Sequence, residues 1–222
     1  MSHEETIKAL YDETLAGNAP AVLELTQKAL ADGMGPDTIL FDALIPSLEE
    51  VGARFERGDF FVPEMLIAGK AMSGALNVLR PLLANTGAET VGTFVMGTVK
   101  GDVHDIGKNL VNIMLEGAGF NVIDLGVQTA PEKFVAAIIE HKPDIVGLSA
   151  FLTTTMPMFK VTIHEIEKAG LRDKVAIMVG GAPVTQEYAD VVGADGFAAD
   201  ASTAVRKAKE LIAKRRGALQ PA

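Results

Sequence analysis

The chain has 222 residues, 48% of them hydrophobic and 22% charged, which suits one large or two small globular domains with a real core. Its 20 Lys and Arg against 29 Asp and Glu leave a net charge of −9, which disfavours a nucleic-acid or anionic-membrane binder, since either needs a basic footprint. There is no cysteine, so disulfides, thiolate zinc sites, cysteine-ligated iron–sulfur clusters and a cysteine nucleophile are excluded together.

The chain opens on the acidic run Met1-Ser2-His3-Glu4-Glu5 with no apolar segment behind it. No stretch approaches the ~18 uninterrupted apolar residues of a membrane span. A soluble cytoplasmic protein with no membrane partner is expected. Residues 1–88 then read as four amphipathic helices. Apolar residues recur at helical spacing in Ile7, Leu10, Tyr11 and Leu15, then Val22, Leu25 and Ala29. The stripe continues through Leu40, Leu44, Leu48, Val51 and Phe55, and ends in Met65, Ala68, Met72, Leu76 and Leu79. Breakers at Asn18 to Pro20, Gly33 to Pro36 and Gly58 to Pro63 separate the runs. Short connections between such helices predict an up-down bundle. Residues Arg80 to Gly92, with Pro81, Asn85, Gly87 and Gly92, read as the linker.

Residues 89–222 change period. Thr93 to Met96, Asn121 to Leu125, Asp144 to Leu148 and Val175 to Val179 are short β-rich runs, and Gly196 to Ala198 is a weaker fifth. Helical stretches are predicted near 105–118, 131–141, 156–169, 185–192 and 203–215, with a frayed tail from Gly217. Strands alternating with helices make right-handed βαβ units and a parallel sheet. The fold class is α/β: a flavodoxin-like (Rossmann-type) parallel five-stranded sheet preceded by a four-helix bundle cap.

In such a sheet ligands sit outside the carboxyl ends of the strands, at the switch in strand order. For the order 2-1-3-4-5 that switch lies between strands 1 and 3. The loop after strand 1 contains Gly101, Asp102, Val103, His104, Asp105, Ile106 and Gly107. One imidazole, His104, therefore sits between two carboxylates where a ligand is expected. That pattern suits a metal-binding histidine whose other ring nitrogen is held by a carboxylate. It equally suits a helix cap at Asp102 or Asp105 with an exposed loop histidine. A phosphate loop is excluded, because five residues separate Gly101 from Gly107 and Asn109 stands where Ser or Thr is required. Strand 3 ends in Ser149 and leads to Phe151, Thr153, Thr154 and Thr155, hydroxyls that could face the His104 loop or cap the next helix. Strand 4 ends in Gly180-Gly181, suited to close backbone approach or to a tight turn.

Asp102-x-His104-x-x-Gly107, Ser149-x-Phe151 and Gly180-Gly181 together resemble the cobalamin-binding signature. That signature belongs to corrinoid proteins of methyltransferase systems and to cobalamin-dependent methionine synthase. The runs Gly101 to Asn109 and Val179 to Thr185 are close to the family's wording, and the four-helix cap extends the resemblance over nearly the whole chain. It implies bound cobalamin, as methylcobalamin or cob(I)alamin or a related corrinoid, with His104 as lower axial ligand of cobalt. Asp102 would hold the other ring nitrogen, and Thr155 stands at the family's serine position in that relay. Ser149, Phe151, Thr153, Gly180 and Gly181 would line the channel for the displaced nucleotide tail; the family often has Leu in place of Phe151. Gly101, Val103, Asp105, Gly107 and Ala201 would adjoin the corrin. Phe55 and Val62 resemble the apolar residues over the methyl face, and also fit ordinary bundle core.

Three functions remain in view. The resemblance implies a methyl carrier between a substrate:corrinoid methyltransferase and a second methyltransferase, with a tetrahydrofolate-type acceptor and a reductive activase as further partners, and no catalysis by the chain alone. A cobalamin-binding sensor would share the fold but carry a signalling or DNA-binding module. A stand-alone flavodoxin-like metal or phosphate enzyme would use Asp102, His104 and Asp105 directly.

Overall fold

The computed structural model describes residues 2–86 and 90–219. They form two compact units, Met1–Thr90 with Glu116–Gly119, and Val91–Leu115 with Phe120–Ala222.

The first unit is the helical one. Helix α1 (His3–Leu15) starts at a capping box: the Ser2 hydroxyl accepts the Glu5 N–H, and the Glu5 carboxylate accepts the Ser2 N–H. Helix α2 (Ala19–Ala31) is capped by the Asn18 side chain and has Pro20 in its first turn. The third helical stretch comprises α3 (Pro36–Ile39), a π-helical turn (Leu40–Leu44) and α4 (Ile45–Glu56). Its apolar stripe predicts one uninterrupted helix. Pro46 accounts for the difference: its ring crowds the carbonyl four residues earlier, and Ile45 N–H donates instead to Leu40 O, five residues back. Helix α5 (Val62–Thr86) closes the unit. Leu10, Val22, Leu44, Leu48, Met65, Met72 and Leu79 are all buried, so the stripes read from the sequence are the faces that pack. The expected linker needs correction at its start. Helix α5 runs through Pro81 to Thr86, so residues 80–86 are helical; residues 87–89 lie outside the described residues.

The second unit holds strands β1 (Thr93–Thr98), β2 (Asn121–Asp124), β3 (Ile145–Ser149), β4 (Ala176–Gly180) and β5 (Gly196–Ala198). Their order is β2-β1-β3-β4-β5 and every pairing is parallel. Helices α6 (Ile106–Gly117), α7 (Pro131–His141), α8 (Pro157–Lys168), α9 (Gln186–Val192) and α10 (Ala201–Leu219) connect and follow them. The strands are nearly continuous apolar runs because helices cover a parallel sheet on both faces. Val95, Val146, Leu148, Ile177 and Val179 pack with Phe134 of α7 and Phe159 of α8 in one buried cluster.

Helix α10 is longer than expected at both ends. Asp200 caps its start, its carboxylate accepting the Thr203 N–H at 2.7 Å. Near its end, Arg215 donates to the carbonyls of Asp173 and Lys174, and Arg216 to that of Val91. Gly217 to Leu219 continue the helix, where a frayed tail is expected from the sequence; residues 220–222 lie outside the described residues. Among the described residues no helix is long and apolar enough to cross a membrane.

Candidate functional site

Strand β1 ends beside β3, with Thr98 paired to Ser149, and Ser149 is paired in turn to Gly180 of β4. Three strand ends thus lie side by side at the switch in strand order, where the loops after β1, β3 and β4 meet.

The loop after β1 is shaped by its own backbone. The Asp102 N–H donates back to Val99 O at 3.1 Å, and Gly101 takes φ +85° within that turn, a conformation that favours glycine. The turn sends the Asp102 side chain inward, where it is fully buried, while the side chain of His104 remains 43% exposed. The Thr98 hydroxyl donates to His104 O at 3.0 Å and holds the loop from the strand side.

The Asp102 carboxylate collects five donors. Oδ1 accepts the backbone N–H of His104 at 3.0 Å and lies 2.7 Å from the imidazole Nδ1. Oδ2 accepts the Thr155 hydroxyl at 2.6 Å and the backbone N–H groups of Phe151 at 2.8 Å and Leu152 at 3.2 Å. Burial alone would push the carboxyl pKa up. The bonds from the Thr155 hydroxyl, then from the His104 backbone and ring, then from the Phe151 amide outweigh it and hold the group well below the usual carboxylate range. An ionised carboxylate only accepts. Nδ1 of His104 is therefore the nitrogen that donates to Asp102, and Nε2 is the ring nitrogen left for another partner.

This geometry resolves two alternatives left by the sequence. The Asp102 carboxylate serves His104 and the 151–155 segment, not a helix cap. Thr155 likewise gives its hydroxyl to Asp102, and α8 has no side-chain cap. The structure brings His104, Asp102, Thr155 and Phe151 together, and the His104 ring stacks on that of Phe151 with centroids 4.4 Å apart and planes at 27°.

The other residues expected at the site stand in several elements. Val103, Asp105 and Gly107 are exposed on the loop and the first turn of α6, and Asp105 O accepts the Asn109 N–H at 2.8 Å. Ser149 and the two glycines sit half-buried at the strand ends. Gly181 is required by its surroundings: φ is +135°, and a Cβ there would fall 1.8 Å from Ala150 O. Thr153 is exposed on the turn before α8. Ala201 opens α10 and is buried. Phe55 at the end of α4 and Val62 at the start of α5 are half-buried and belong to the helical unit.

Several contributors are invisible in the sequence. The Phe151 and Leu152 amides act through the backbone, which has no residue signature. Gln128 is another: it takes φ +51° and donates its N–H to Asp102 O at 2.9 Å. A non-glycine residue in that region is uncommon.

The arrangement suits a flat metal macrocycle. It offers one imidazole nitrogen with its proton fixed on the far side, flanked by exposed apolar Val103, Ile106 and Phe151. Among the described residues no group of three or more His, Asp or Glu gathers to hold a free metal ion. With the Asp102 carboxylate already occupied, a bare-metal site built on Asp102, His104 and Asp105 does not fit. A metal that brings its other ligands with it does.

Comparison with known proteins agrees. Residues 92–209 match one model described as B12 binding domain, and residues 6–80 match a second of the same description. The chain is 42% identical over 214 residues to the dimethylamine corrinoid protein of Methanosarcina barkeri, covering 96% of this chain and 100% of the relative. It is similar in structure to the methanol:cobalamin methyltransferase complex MtaBC of Methanosarcina barkeri, with a TM-score of 0.84, 29% identity and coverage of 99% of this chain and 86% of that one. A cobalamin-binding protein from Desulfitobacterium hafniense DCB-2 superimposes with a TM-score of 0.70 at 29% identity, covering 92% and 98% of the two chains.

Proposed function

The chain belongs to the B12-binding corrinoid proteins of methyltransferase systems, and from that premise we propose that it carries methyl groups from a methylamine, dimethylamine first, with His104 as the side chain that would ligate the cobalt of the corrinoid. The observation that supports the ligand assignment is the Asp102 carboxylate, buried and 2.7 Å from Nδ1 of His104. The donor is supported by the 42% identity to a dimethylamine corrinoid protein over that protein's whole length.

The bound corrinoid supplies a cobalt centre able to accept and release a methyl group. The chain supplies the setting. His104 presents Nε2 as the donor atom. Asp102 keeps the proton on Nδ1 and, by accepting that hydrogen bond, raises the basicity of the opposite nitrogen. Thr155 and the Phe151 and Leu152 amides keep Asp102 ionised and in place. Val103, Ile106 and Phe151 give the macrocycle an apolar seat.

Cleaving a C–N bond needs the leaving amine to be stabilised by protonation or a Lewis acid. The constellation around His104 is occupied in holding one imidazole. The donor pocket therefore belongs to a partner methyltransferase, and a second methyltransferase takes the methyl group onward. The relatives support the donor side, and nothing in them supports the tetrahydrofolate-type acceptor expected from the sequence.

The test labels the full chain with 15N-histidine, loads it with hydroxocobalamin, reduces it to cobalt(II), and compares it with His104→Ala by EPR. The doublet splitting of a 15N ligand is expected in the wild type and absent from the variant; a labelled wild type that shows only the 14N triplet of the cofactor's own base would sink the assignment. Single-turnover methylation, with no enzyme and with the methyltransferases for mono-, di- and trimethylamine and for methanol added in turn, each with its own substrate, tests the donor. Methylation should require an enzyme and be fastest with the dimethylamine methyltransferase. Equal rates from the isolated chain would overturn the carrier reading.

A further inference from the structure

The His104 loop is fastened at both ends to one other segment, the β2–α7 loop. At its upstream end, Asp102 O accepts the Gln128 N–H at 2.9 Å. Thr98, the last residue of β1, is gripped twice by the same segment: its N–H donates to Gly126 O at 2.9 Å, and its O accepts the Thr129 N–H at 2.8 Å. At the downstream end stands Lys108, on the first turn of α6. Its side chain is 1% exposed. Its Nζ donates to Asp124 Oδ2 at 2.5 Å and to Asn109 Oδ1 at 2.7 Å. Asp124 is the last residue of β2, and its other oxygen accepts the Gly126 N–H at 2.8 Å. Burying an ammonium group is costly unless it is paired. Here the pair links the start of α6 to the loop that holds Thr98 and Asp102.

We propose that Lys108 is a positioning residue for His104. Its ion pair with Asp124 pins the downstream end of the His104 loop to the segment that already pins the upstream end. The span from Asp102 to α6 then has one setting, and so has the imidazole it carries. Lys108 acts through Asp124, Gly126 and Gln128; its own bonds go to Asp124 and Asn109. The proposal deepens the reading of His104 as cobalt ligand and rests on it for the cobalt readout, whereas placement of the ring is a property of the protein without cofactor.

The experiment uses three full-length variants. Lys108→Met keeps the length of the side chain without its charge. Asp124→Asn keeps the shape of the partner. The third variant carries both changes. Folding is checked by the backbone amide NMR spectrum, and the side-chain resonances of His104 are followed in the cofactor-free chain. The same proteins, labelled with 15N-histidine, loaded with hydroxocobalamin and reduced to cobalt(II), are compared by EPR, where the 15N doublet of a histidine ligand is distinct from the 14N triplet of the cofactor's own base.

The wild type should give one sharp imidazole set, and each single variant a doubled or broadened one. The ratio of histidine-bound to histidine-free cobalt should fall about tenfold in each, the scale of losing an outer-shell support. The double variant should match the singles, because both remove one tie. A folded single variant with unchanged imidazole and EPR signals would overturn the proposal, as would additive losses in the double variant. If Lys108→Met does not fold, Asp124→Asn decides alone, its site lying on a partly exposed side chain. A labelled wild type that shows no 15N splitting, but whose imidazole set still responds to the variants, would overturn the reading of His104 as cobalt ligand and leave the positioning role supported.

Discussion

The imidazole of His104 lies against the phenyl ring of Phe151, with centroids 4.4 Å apart and planes inclined at 27°. Phe151 is half exposed, so the ring packs on the histidine and not into the core. A stacked pair of this kind contributes about 0.5–1.5 kcal/mol beyond area burial. Phe151→Leu should lose that increment while keeping the backbone amide that bonds Asp102. A double-mutant cycle with His104→Ala, read by urea unfolding, is expected to show coupling of that size. Coupling indistinguishable from zero would mean the stack has no energetic content.

Asp102→Asn removes an ionised acceptor from five donors. At neutral pH it should cost about 1–3 kcal/mol for each donor left unpaired. The pH dependence carries a sign. The folded-state pKa of Asp102 is depressed, so its ionisation stabilises the fold fully above the unfolded carboxylate pKa of ~3.9. That contribution is lost as pH falls below ~3.9 towards the lowered folded value. The stability gap between wild type and variant should therefore narrow as pH falls from about 4 towards the lowered folded value. Denaturant melts at a series of pH values measure it, and a gap that widened over that acid range would contradict the assignment.

Thr155→Val tests the hydroxyl at 2.6 Å from Asp102 Oδ2. The change keeps the side-chain shape and removes the donor, and should cost about 1–2 kcal/mol. The carboxyl pKa should move back up towards the ordinary range, which 13C NMR of the Asp102 carboxyl can follow. Thr155→Ser should restore both quantities, since it keeps the donor and loses a methyl group. Failure of Ser to rescue would show that packing, not the hydrogen bond, is what Thr155 contributes.

Gly181→Ala places a methyl group 1.8 Å from Ala150 O at φ +135°. Something in the backbone must shift, at a cost on the order of 3 kcal/mol. Because Ala150 precedes the Phe151 and Leu152 amides, the shift should also reach Asp102 and weaken corrinoid binding. Thermal melts and titration with hydroxocobalamin measure the two effects. A variant as stable as the wild type would mean that the β3 and β4 ends part easily.

The alternating pattern of residues 89–222 carried the fold because each strand is short, β-branched and followed by a helix of clear period. The helical unit was legible for the same reason, and its departures trace to particular residues. Pro46 opens a π turn that a spacing of apolar residues does not register. Pro81 reads as part of a linker, yet it sits inside α5. Asp200 caps the start of α10 locally at Thr203, whereas Arg215 and Arg216 tie its end to carbonyls far away in sequence. Within the site, Asp102 and His104 stood out because their spacing is local. The amides of Phe151, Leu152 and Gln128 did not, since any residue supplies an N–H and only the fold aims it. Lys108 reads as a surface lysine in the sequence, because its partner Asp124 lies 16 residues away and only the fold brings it there.

Phe151 and Leu152 are surface residues by their side chains, but their N–H groups end on a carboxylate that water does not reach. Exchange of those two hydrogens with deuterium therefore waits on the withdrawal of Asp102, and not on the motion of the exposed turn around them. The pair constitutes a built-in clock for the site. Their exchange lifetimes measure how often the carboxylate releases its partners, and with it how long the imidazole keeps its orientation between releases.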